Sequence, residues 1–428
     1  MPFETPFAPR RVAIVGGGIS GLAAAWCLRD QAHVVLYEAA PRFGGHARTV
    51  IAGRRGDQPV DTGFIVFNRV NYPNLCGMFE ALDVPVTESA MTFGASFDGG
   101  RFEYGLRDLA ALFAQKRNAC DPRFLRMIRD ILRFNARALA LAKEDDLPLG
   151  DFLSRMGTGD WFRDRYLLPL SGAIWSTPAQ GILDFPARAL VRFFDNHALL
   201  QNSGQHQWLT VRGGSVEYVR RLEAALGRAG VDLRPGTPVG AIRRHPHGVE
   251  IAAGGETELF DDVILATHSD DALALLSDPS PAEAEALGAV RYQPNRAILH
   301  ADASAMPRRR SVWSSWNYCE PRGRSEGIEL TYWMNSLQPI PKDDPLFVTL
   351  NPTRPIREEL VHDETTFRHP VYDLAAERGR ARIRAMNGTR RTWYCGAWMR
   401  DGFHEDGFAS AVDVVRAMAT ERRALAAE

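Results

Sequence analysis

The chain has few lysines and few cysteines. Arginine carries almost all of the positive charge, because the only lysines are Lys116, Lys143 and Lys342, and the formal net charge is -1. A chain this close to neutrality has no global field that would attract nucleic acid. The five cysteines are scattered and form no C-x-x-C pair. That usage is typical of reduced thiols in the cytoplasm and indicates no metal site.

Long apolar runs are missing too. None reaches the ~18 residues of a membrane-spanning helix, and the first strand-like run, at residues 12–15, begins too close to Met1 to follow a signal peptide. We therefore expect a cytoplasmic protein that is dissolved or rests on the inner face of the membrane. With 428 residues and 45% hydrophobic content, the chain has room for two domains.

Residues 11–50 have the pattern of a βαβ unit, with a glycine-rich turn between the first apolar run and an apolar helix. The turn carries G-x-G-x-x-G as Gly16, Gly18 and Gly21. In such a turn the first glycine reverses the chain, the second lets a pyrophosphate approach, and the third lets helix and strand pack closely. We expect the pyrophosphate at the helix N-terminus, beside Ile19 and Ser20, where unpaired N–H groups favour an anion.

Glu38 ends the second strand of this unit, 22 residues after Gly16. A carboxylate at that place accepts hydrogen bonds from the ribose hydroxyls of a dinucleotide. The alternative is a glycine-rich turn that merely opens an ordinary helix. The strand, the helix and the acidic strand end are in register, which favours dinucleotide binding.

A second motif follows at once, the R-x-G-G segment of residues 42–46. It resembles the flavin amine oxidase and carotenoid desaturase superfamily, although relatives usually carry arginine at the position of His46. The resemblance implies FAD as cofactor, with this loop around the phosphates and the D-T-G-F segment beside the flavin. The cofactor-binding residues that it implies here are Arg42, Gly44, Gly45, His46, Gly63 and Phe64.

The resemblance also extends to the end of the chain. It implies that the backbone at Val239 contacts adenine and that the last helix points its N-terminus at the flavin pyrimidine ring. The further cofactor-binding residues are Gly396, Phe403, His404, Glu405 and Gly407. Relatives with covalent flavin carry a cysteine roughly 35 to 40 residues before the position of His404, and this chain has none there. We therefore expect FAD to be bound non-covalently.

The predicted fold class is α/β, with a Rossmann-like FAD-binding domain and an inserted α+β substrate domain. We assign residues 1–70, 206–275 and 384–428 to the first domain, and residues 71–205 and 276–383 to the second. A hairpin is expected at residues 92–104, because turn residues at 98–100 separate two strand-like runs. A mostly helical stretch is expected from 106 to about 200, and strands at 295–300, 314–318 and 330–334.

Five segments, GFHEDG, ATHSDDA, IWSTP, TVRGGS and WSSWNY, resemble a bacterial branch of predicted NAD/FAD-binding proteins. That branch is associated with cyclopropane and methylated fatty-acid synthesis and includes desaturases of furan fatty-acid pathways. The resemblance implies an enzyme that introduces a second double bond into a methyl-branched, unsaturated fatty acyl chain, free or phospholipid-linked.

Two departures separate the chain from the amine oxidases of the superfamily. Those enzymes commonly place a lysine on a strand that aligns near residues 295–300, but no lysine occurs between Lys143 and Lys342. They also carry an aromatic-cage tyrosine where this chain has Phe403. An amine cage would therefore be incomplete.

Two sets of side chains have alternative interpretations. His404 and Glu405 are candidates to accept a proton beside the flavin, or they merely cap the last helix. A set of aromatic residues either lines an acyl tunnel or belongs to the core. That set is Trp313, Trp316, Tyr318, Tyr332 and Trp333.

One helix is basic. Arg126, Arg129, Arg133 and Arg137 fall on one helical face, and we expect the leucine and isoleucine side chains at 125, 128, 132 and 139 on the opposite face. Such a helix is one way for an enzyme to reach lipid-borne acyl chains on a membrane surface. The alternative is a solvated face of the second domain.

Three hypotheses for the function remain. The first is the FAD-dependent fatty acyl desaturase. The second is another flavoenzyme of apolar substrates, such as a carotenoid desaturase or an amine oxidase. The third is a non-catalytic flavin-binding redox protein.

Overall fold

The fold was analysed in a computed structural model, which describes residues 10–143, 147–175, 179–201, 204–322 and 329–427. The last three residues of the IWSTP segment, 176–178, lie outside the described residues.

The chain alternates strands and helices from its start, as the βαβ pattern predicts. The strands are β1 (Arg11–Val15), β2 (His33–Tyr37), β3 (Thr49–Ala52), β4 (Gln58–Asp61), β5 (Phe67–Asn68), β6 (Val86–Ser89), β7 (Phe93–Phe97), β8 (Phe102–Gly105), β9 (Trp208–Val211), β10 (Asp232–Arg234), β11 (Val239–His245), β12 (Gly248–Ala253), β13 (Glu256–Phe260), β14 (Asp262–Leu265), β15 (Tyr292–His300), β16 (Trp316–Cys319), β17 (Leu330–Trp333), β18 (Phe347–Leu350), β19 (Val361–Pro370) and β20 (Thr392–Tyr394).

Helices cluster between β8 and β9 and again at the end of the chain. They are α1 (Ile19–Leu28), α2 (Pro73–Ala81), α3 (Leu109–Leu112), α4 (Pro122–Leu141), α5 (Leu149–Met156), α6 (Asp160–Phe162), α7 (Leu168–Trp175), α8 (Ala179–Leu183), α9 (Ala187–Asn196), α10 (Val216–Arg228), α11 (Ser269–Leu275), α12 (Pro281–Gly288), α13 (Met334–Leu337), α14 (Leu374–Met386) and α15 (His404–Ala427). Among the described residues, no helix is both long enough and apolar enough to cross a bilayer.

A parallel sheet in the order β10-β2-β1-β14-β20 forms the centre of the first domain. Side chains alternate across it. Val12 and Ile14 of β1 pack with α1, α10 and α15, while Ala13 and Val15 pack on the other face. Strands of a parallel sheet that is covered on both faces have near-continuous apolar sequences. This is why β1 and β14 were recognisable in the sequence. The α/β fold class is confirmed.

The second domain is built on a seven-stranded sheet, in the order β19-β15-β18-β17-β16-β7-β8. The predicted hairpin is present as β7 and β8. Helices α4 to α9 pack against this sheet in one large apolar core. The glycine-rich turn of the first domain and the apolar core of the second domain therefore face each other.

Parts of both segments assigned to the second domain pack against the elements of the parallel sheet. Leu75 and Phe79 of α2 lie in the core beside the parallel sheet, and β6 pairs with β9, although both elements fall in 71–205. Leu287 of α12 and Ile383 of α14 pack on the sheet's other face, although both helices fall in 276–383. The apolar faces of these elements are buried against the parallel sheet, and composition does not show which surface a short element will cover.

Helix α4 is rotated relative to the prediction. Its buried apolar face consists of Phe124, Met127, Phe134 and Ala138, whereas Leu125 and Leu132 are 45% and 49% exposed. The aromatic side chains are buried in the core in preference to the leucines, because they bury more apolar surface than leucine. The leucines therefore share the outer face with the arginines, within an arc of about 140° at 3.6 residues per turn.

Candidate cofactor and substrate site

The turn between β1 and α1 has the geometry of a phosphate-binding turn. Gly16 has a φ of +105°, which side-chain-bearing residues rarely adopt. A Cβ on Gly21 would lie 1.8 Å from the carbonyl oxygen of Gly16, so only glycine permits this packing. Helix α1 follows Gly18 with no side-chain cap and no acidic residue in its first turn. Its first N–H groups are therefore available to an anion.

Glu38 lies beside this turn. Its Oε2 accepts a hydrogen bond from the N–H of Gly17 at 2.7 Å, which holds the carboxylate at the turn. The chain before β11 runs alongside, because the N–H of Thr237 donates to the carbonyl oxygen of Glu38 at 2.8 Å. Glu38 and Val239 consequently line the same part of one cavity, which is the arrangement that ribose and adenine contacts require.

The R-x-G-G loop folds onto the turn. The N–H of Gly44 donates to the carbonyl oxygen of Gly17 at 2.9 Å, and a Cβ on Gly45 would lie 3.1 Å from the Cα of Gly18. The guanidinium of Arg42 donates to three carbonyl oxygens of its own loop, at 3.1 to 3.2 Å. Arg42 therefore fixes the loop conformation, and it does not line the cavity.

The segment at Gly63 and Phe64 packs against the same loop. The N–H of Phe64 donates to the carbonyl oxygen of His46 at 2.9 Å, and a Cβ on Gly63 would lie 2.0 Å from that oxygen. The His46 ring stacks on Phe367, with 4.9 Å between ring centroids. Burial lowers the pKa of His46 to about 4. Its Nε2 is buried and has no hydrogen-bond partner among the described residues.

A single cavity of about 960 Å³ joins these elements to the second domain. Most of the predicted cofactor-binding residues line it. They are Gly16, Gly18, Ile19, Ser20, Glu38, Gly44, Gly45, His46, Gly63, Phe64, Val239, Gly396, Phe403 and His404.

Gly407 supports the cavity wall without lining it. A Cβ at this position would lie 2.8 Å from the Cγ2 of Ile19 and from the Oγ of Ser20. The glycine therefore lets α15 approach the first turn of α1 closely. As a result, the N-termini of both helices meet at the cavity.

Glu405 has a different contact from the one predicted. Its carboxylate accepts hydrogen bonds from the backbone N–H groups of Asn74 and Leu75, each at 3.0 Å, and from the Asn74 side chain at 2.6 Å. These N–H groups belong to the first turn of α2, which its own sequence leaves without a side-chain cap. Glu405 therefore caps α2 from a distant part of the chain, and it does not line the cavity.

His404 begins α15 and lies at the cavity wall. Its ring stacks on Phe64, with 3.8 Å between centroids and 9° between planes. Its Nε2 lies 2.6 Å from the hydroxyl of the buried Tyr218. Burial lowers the pKa of His404 to about 3, so the ring is neutral at physiological pH.

The far part of the cavity is apolar. Its walls come from the helices and the sheet of the second domain, and the lining side chains include Ile65, Met91, Phe93, Leu170, Ile174, Trp175, Phe193, Leu199, Trp208, Trp316, Tyr332 and Leu350. Trp316 and Tyr332 face each other across β16 and β17, with 5.3 Å between ring centroids. We call this part of the cavity the apolar arm.

The aromatic set predicted from the sequence divides between cavity and core. Trp316 and Tyr332 line the apolar arm. Trp313 and Trp333 pack with Phe347 in a separate cluster, and Tyr318 packs against Phe97. Tyr332 and Trp333 are adjacent on β17 and therefore face opposite sides of the sheet. Trp316 and Tyr318 share a face of β16, but only Trp316 lies within reach of the cavity.

His268 and His369 are among the cavity residues that were not predicted from the sequence. His268 follows β14 within the ATHSDDA segment, so the motif itself was a signal. His369 is near the end of β19 in a segment with no motif, and only its pairing with β15 brings it to the cavity. Burial lowers the pKa of His268 to about 4 and, together with His46, that of His369 to about 3.

The sequence profile of the family described as flavin containing amine oxidoreductase matches residues 19–335 of this chain. The chain belongs to this family. The match begins after Gly16 and Gly18 of the phosphate-binding turn, and it covers α1, the R-x-G-G loop and most of the second domain. It does not reach α15, whose place at the cavity is established by the structure.

Solved structures share the whole fold of this flavin oxidoreductase at low sequence identity. The CLA-producing fatty acid isomerase from P. acnes has a TM-score of 0.69 and 16% identity, over 95% of this chain and 98% of that one. A putative protoporphyrinogen oxidase from Exiguobacterium has a TM-score of 0.67 and 18% identity, over 97% and 99%. Putrescine oxidase has a TM-score of 0.69 and 16% identity, over 96% and 99%. At these identities the likeness establishes the fold.

A short stretch is also similar to coproporphyrinogen III oxidase from Mycobacterium tuberculosis, with 46% identity over 63 residues. That stretch spans 14% of this chain and 13% of the relative's own length. The similarity is therefore local, and it does not extend to the relative's activity.

The cofactor of this flavin oxidoreductase is FAD, and the site fits it. The uncapped N-terminus of α1 suits the pyrophosphate. Glu38 suits the ribose, and the buried Nε2 of His46 needs a partner that the described residues do not supply. The N-terminus of α15, close to the first turn of α1, adds a second dipole that favours negative charge in the cavity.

Proposed function

We propose that this protein is an FAD-dependent desaturase that introduces a second double bond into a methyl-branched, unsaturated fatty acyl chain. The observation that carries the proposal is the continuity of the cavity. The same volume of about 960 Å³ reaches from the phosphate-binding turn into the apolar arm. A long alkyl chain in that arm would reach the part of the cavity that would hold the cofactor.

The lining of the arm suits a hydrocarbon. Burial of each CH₂ group contributes about 0.8 kcal/mol, so an acyl chain gains affinity along the whole arm without a charged partner. The rings of Trp316 and Tyr332 offer flat, rigid walls at low entropic cost. At its outer end the cavity is lined by Leu106 and Arg107, which are both exposed. A cationic side chain there suits a carboxylate or phosphate headgroup.

The same site suits amines poorly. Phe403 and Phe193 stack directly, with 4.9 Å between centroids and 21° between planes, so no amine fits between these rings. The chain also has no lysine near the strand β15. An amine oxidase would need both an open aromatic cage and a group that keeps the substrate nitrogen neutral.

Desaturation requires the loss of one hydride and one proton from adjacent carbon atoms. The double bond already present weakens the allylic C–H bond, and bound FAD supplies the two-electron acceptor for the hydride. The apolar arm orients the chain and excludes water, and such orientation is the main source of acceleration. We assign the acceptance of the proton to the Nδ1 of His404, in the tautomer whose Nε2–H donates to the hydroxyl of Tyr218, because the neutral ring lies at the cavity wall next to Phe64.

Glu405 has no part in this proposal, because it caps α2. Tyr218 assists His404 through its hydroxyl. One further point supports a lipid substrate. The fatty acid isomerase from P. acnes shares the fold, and its name says that it acts on a fatty acid.

The outer face of α4 offers a route to membrane lipid. We call it the arginine–leucine surface, and it consists of Leu125, Arg126, Arg129, Leu132, Arg133 and Arg137, all of which are exposed. Arginine next to exposed leucine is the composition of helices that rest in the interface of anionic membranes. The ring contact between Phe113 and Phe124 joins α4 to the segment that carries Leu106 and Arg107.

A lipid analysis of cells tests the proposed function. Cells that contain methylated, mono-unsaturated acyl chains should form the corresponding diene when they express the protein, and not when they lack it. A Leu170→Trp variant, which fills the apolar arm, is the matched control, since it should retain FAD but form little diene. An unchanged lipid profile in cells with flavin-loaded protein would contradict the proposal.

A further inference from the structure

His369 belongs to a hydrogen-bonded chain of two amide side chains, Asn295 and Asn351, that determines where its proton lies. It is on β19 opposite Gln293 of β15, and it lines the cavity. Its ring stacks near that of His46, with 5.7 Å between centroids. Its Nδ1 lies 2.9 Å from the Nδ2 of Asn295, and its Nε2 has no hydrogen-bond partner among the described residues.

One end of this chain is set by a backbone group. The N–H of Arg296 can only donate, and it donates to the Oδ1 of Asn351 at 2.9 Å. The Nδ2 of Asn351 must then point the other way, where it donates to the Oδ1 of Asn295 at 2.7 Å. The amide group of Asn295 is therefore oriented with its Nδ2 toward His369.

The other end gives the same orientation independently. The Nδ2 of Asn295 also lies 3.4 Å from the carbonyl oxygen of Gln293. A carbonyl oxygen can only accept, so the Asn295 atom beside it must be the nitrogen. Asn295 is fully buried, which excludes solvent as a competing partner. Two backbone groups thus fix the same amide from opposite sides.

The consequence follows from imidazole chemistry. A donor at Nδ1 makes that nitrogen the acceptor, and in a neutral ring the single proton must then reside on Nε2. Burial and the nearby His46 hold the pKa of His369 low, so the neutral ring is the form present at physiological pH. The Nε2–H of such a ring can donate a hydrogen bond but cannot take a proton.

We propose that His369 is a hydrogen-bond donor to the ligand in the cavity, and that Asn295 and Asn351 are positioning residues that hold its proton on Nε2. The donor selects an acceptor atom, which is an oxygen or an unprotonated nitrogen of the bound cofactor or of the substrate, and it disfavours an ammonium group. This inference concerns the cofactor-facing wall and holds whichever substrate the enzyme uses.

The position of the proton is measurable by NMR of the FAD-loaded protein with ¹⁵N-labelled histidine. Comparison with His369→Gln assigns the His369 signals. We expect Nε2 to be the protonated nitrogen at neutral pH. His300 is an internal reference, because its Nδ1 accepts from the N–H of Asp302 at 3.0 Å and its ring must therefore carry the same tautomer.

Asn295→Asp is the decisive variant, since it changes the size of the side chain very little. A carboxylate cannot donate to Nδ1, so the proton of His369 should move to Nδ1 while the His300 signals stay unchanged. Wild-type protein with the proton on Nδ1, or a variant in which Nε2 remains protonated in a neutral ring, would overturn the assignment.

A second comparison identifies the acceptor. His369→Gln keeps an N–H donor and His369→Ala removes it. If the acceptor belongs to the cofactor, only the alanine variant should shift the flavin absorption band and reduction potential without substrate. If it belongs to the substrate, the flavin spectrum stays unchanged and KM rises by about tenfold in the alanine variant, the loss of one hydrogen bond. An alanine variant with unchanged spectrum, potential and KM would refute the donor role.

Discussion

The Nε2 of His404 lies 2.6 Å from the hydroxyl oxygen of Tyr218. Burial raises the pKa of Tyr218 well above its usual range and lowers that of His404 to about 3, so both groups are neutral. Either group can be the donor in this hydrogen bond, because a neutral imidazole carries its single proton on Nε2 or on Nδ1. This hydrogen bond fixes the ring that stacks on Phe64 at the cavity wall.

Tyr218→Phe should weaken the fold at this point. The change leaves the Nε2 of His404 buried and unpaired, which costs about 1 to 3 kcal/mol of unfolding free energy. Urea unfolding of the FAD-loaded protein measures the loss. The matched control is Tyr166→Phe, because Tyr166 is also buried but its hydroxyl has no hydrogen-bond partner among the residues that the structure describes. Equal losses in the two variants would mean that the contact with His404 is unimportant.

Glu405→Ala should affect stability and leave flavin reduction unchanged. The variant exposes no cavity wall, but it leaves the N–H groups of Asn74 and Leu75 without their acceptor. We expect the unfolding free energy to fall by about 1 to 3 kcal/mol. Glu405→Gln retains one acceptor and should lose less. If the variant instead had unchanged stability but slower flavin reduction by substrate, Glu405 would take part in the reaction.

Glu405 and His369 show which contacts could not be predicted from the sequence. The glycine-rich turn, Glu38 and the R-x-G-G loop lie within 31 residues of each other, and local spacing was enough to predict them. Glu405 meets Asn74 across 331 residues, and no local pattern reports such a contact. His369 likewise reaches the cavity only because β19 pairs with β15.

The error on α4 has another physical cause. Its sequence offers apolar residues on two faces, and leucine spacing alone favoured the wrong one. In the structure the aromatic side chains of Phe124 and Phe134 are the ones buried in the core. A pattern of period 3.6 shows that a helix is amphipathic, but it does not decide between two competing apolar faces.

Glu38→Ala should weaken FAD binding while the fold survives. The carboxylate is held at the turn by the N–H of Gly17, and each ribose hydrogen bond to a charged acceptor contributes about 1.5 to 3 kcal/mol. We expect the Kd for FAD to rise by at least about tenfold, measured by fluorescence titration of the apoprotein. Glu250→Ala on β12 is the control. Unchanged affinity in Glu38→Ala would remove this residue from the cofactor site.

Reversal of charge on the arginine–leucine surface should reduce binding to anionic vesicles. Each charge near such a surface contributes about 1 kcal/mol, so Arg133→Glu with Arg137→Glu should cost more than about tenfold in affinity. Co-sedimentation with phosphatidylglycerol vesicles measures it, and neutral vesicles give the background. Reversal of the exposed Arg228 and Arg378 on other helices is the control. The proposed surface is wrong if both double variants behave alike.

Asp406 should make stability decrease as pH rises. Burial and the neighbouring Asp401 raise the pKa of Asp406 from 3.8 to about 7. Between these values the folded state holds a proton that the unfolded state has lost, so the unfolding free energy falls with pH across that window. Asp406→Asn removes this effect. The unfolding free energy of the wild type minus that of the variant should fall as pH rises from 4 to 7, by at most about 1.4 kcal/mol per pH unit. A constant difference would contradict the assignment.

FAD release tests the non-covalent attachment. No cysteine lies in the region where relatives form the covalent link, so acid precipitation should leave all of the flavin in the supernatant. A yellow pellet after precipitation would show a covalent bond. FAD that is held only by the folded protein should also be released when the protein is denatured in urea.

The most direct test of the central claim is anaerobic mixing of the FAD-loaded protein with a methyl-branched, mono-unsaturated fatty acyl substrate, followed by absorption and mass spectrometry. The account predicts bleaching of the flavin band and formation of a diene two mass units lighter than the substrate, because one hydride and one proton leave the chain. A saturated acyl chain of the same length, which lacks the allylic C–H bond, should leave the flavin oxidised. Rapid bleaching by a simple amine or polyamine, with none by the lipid, would contradict the account.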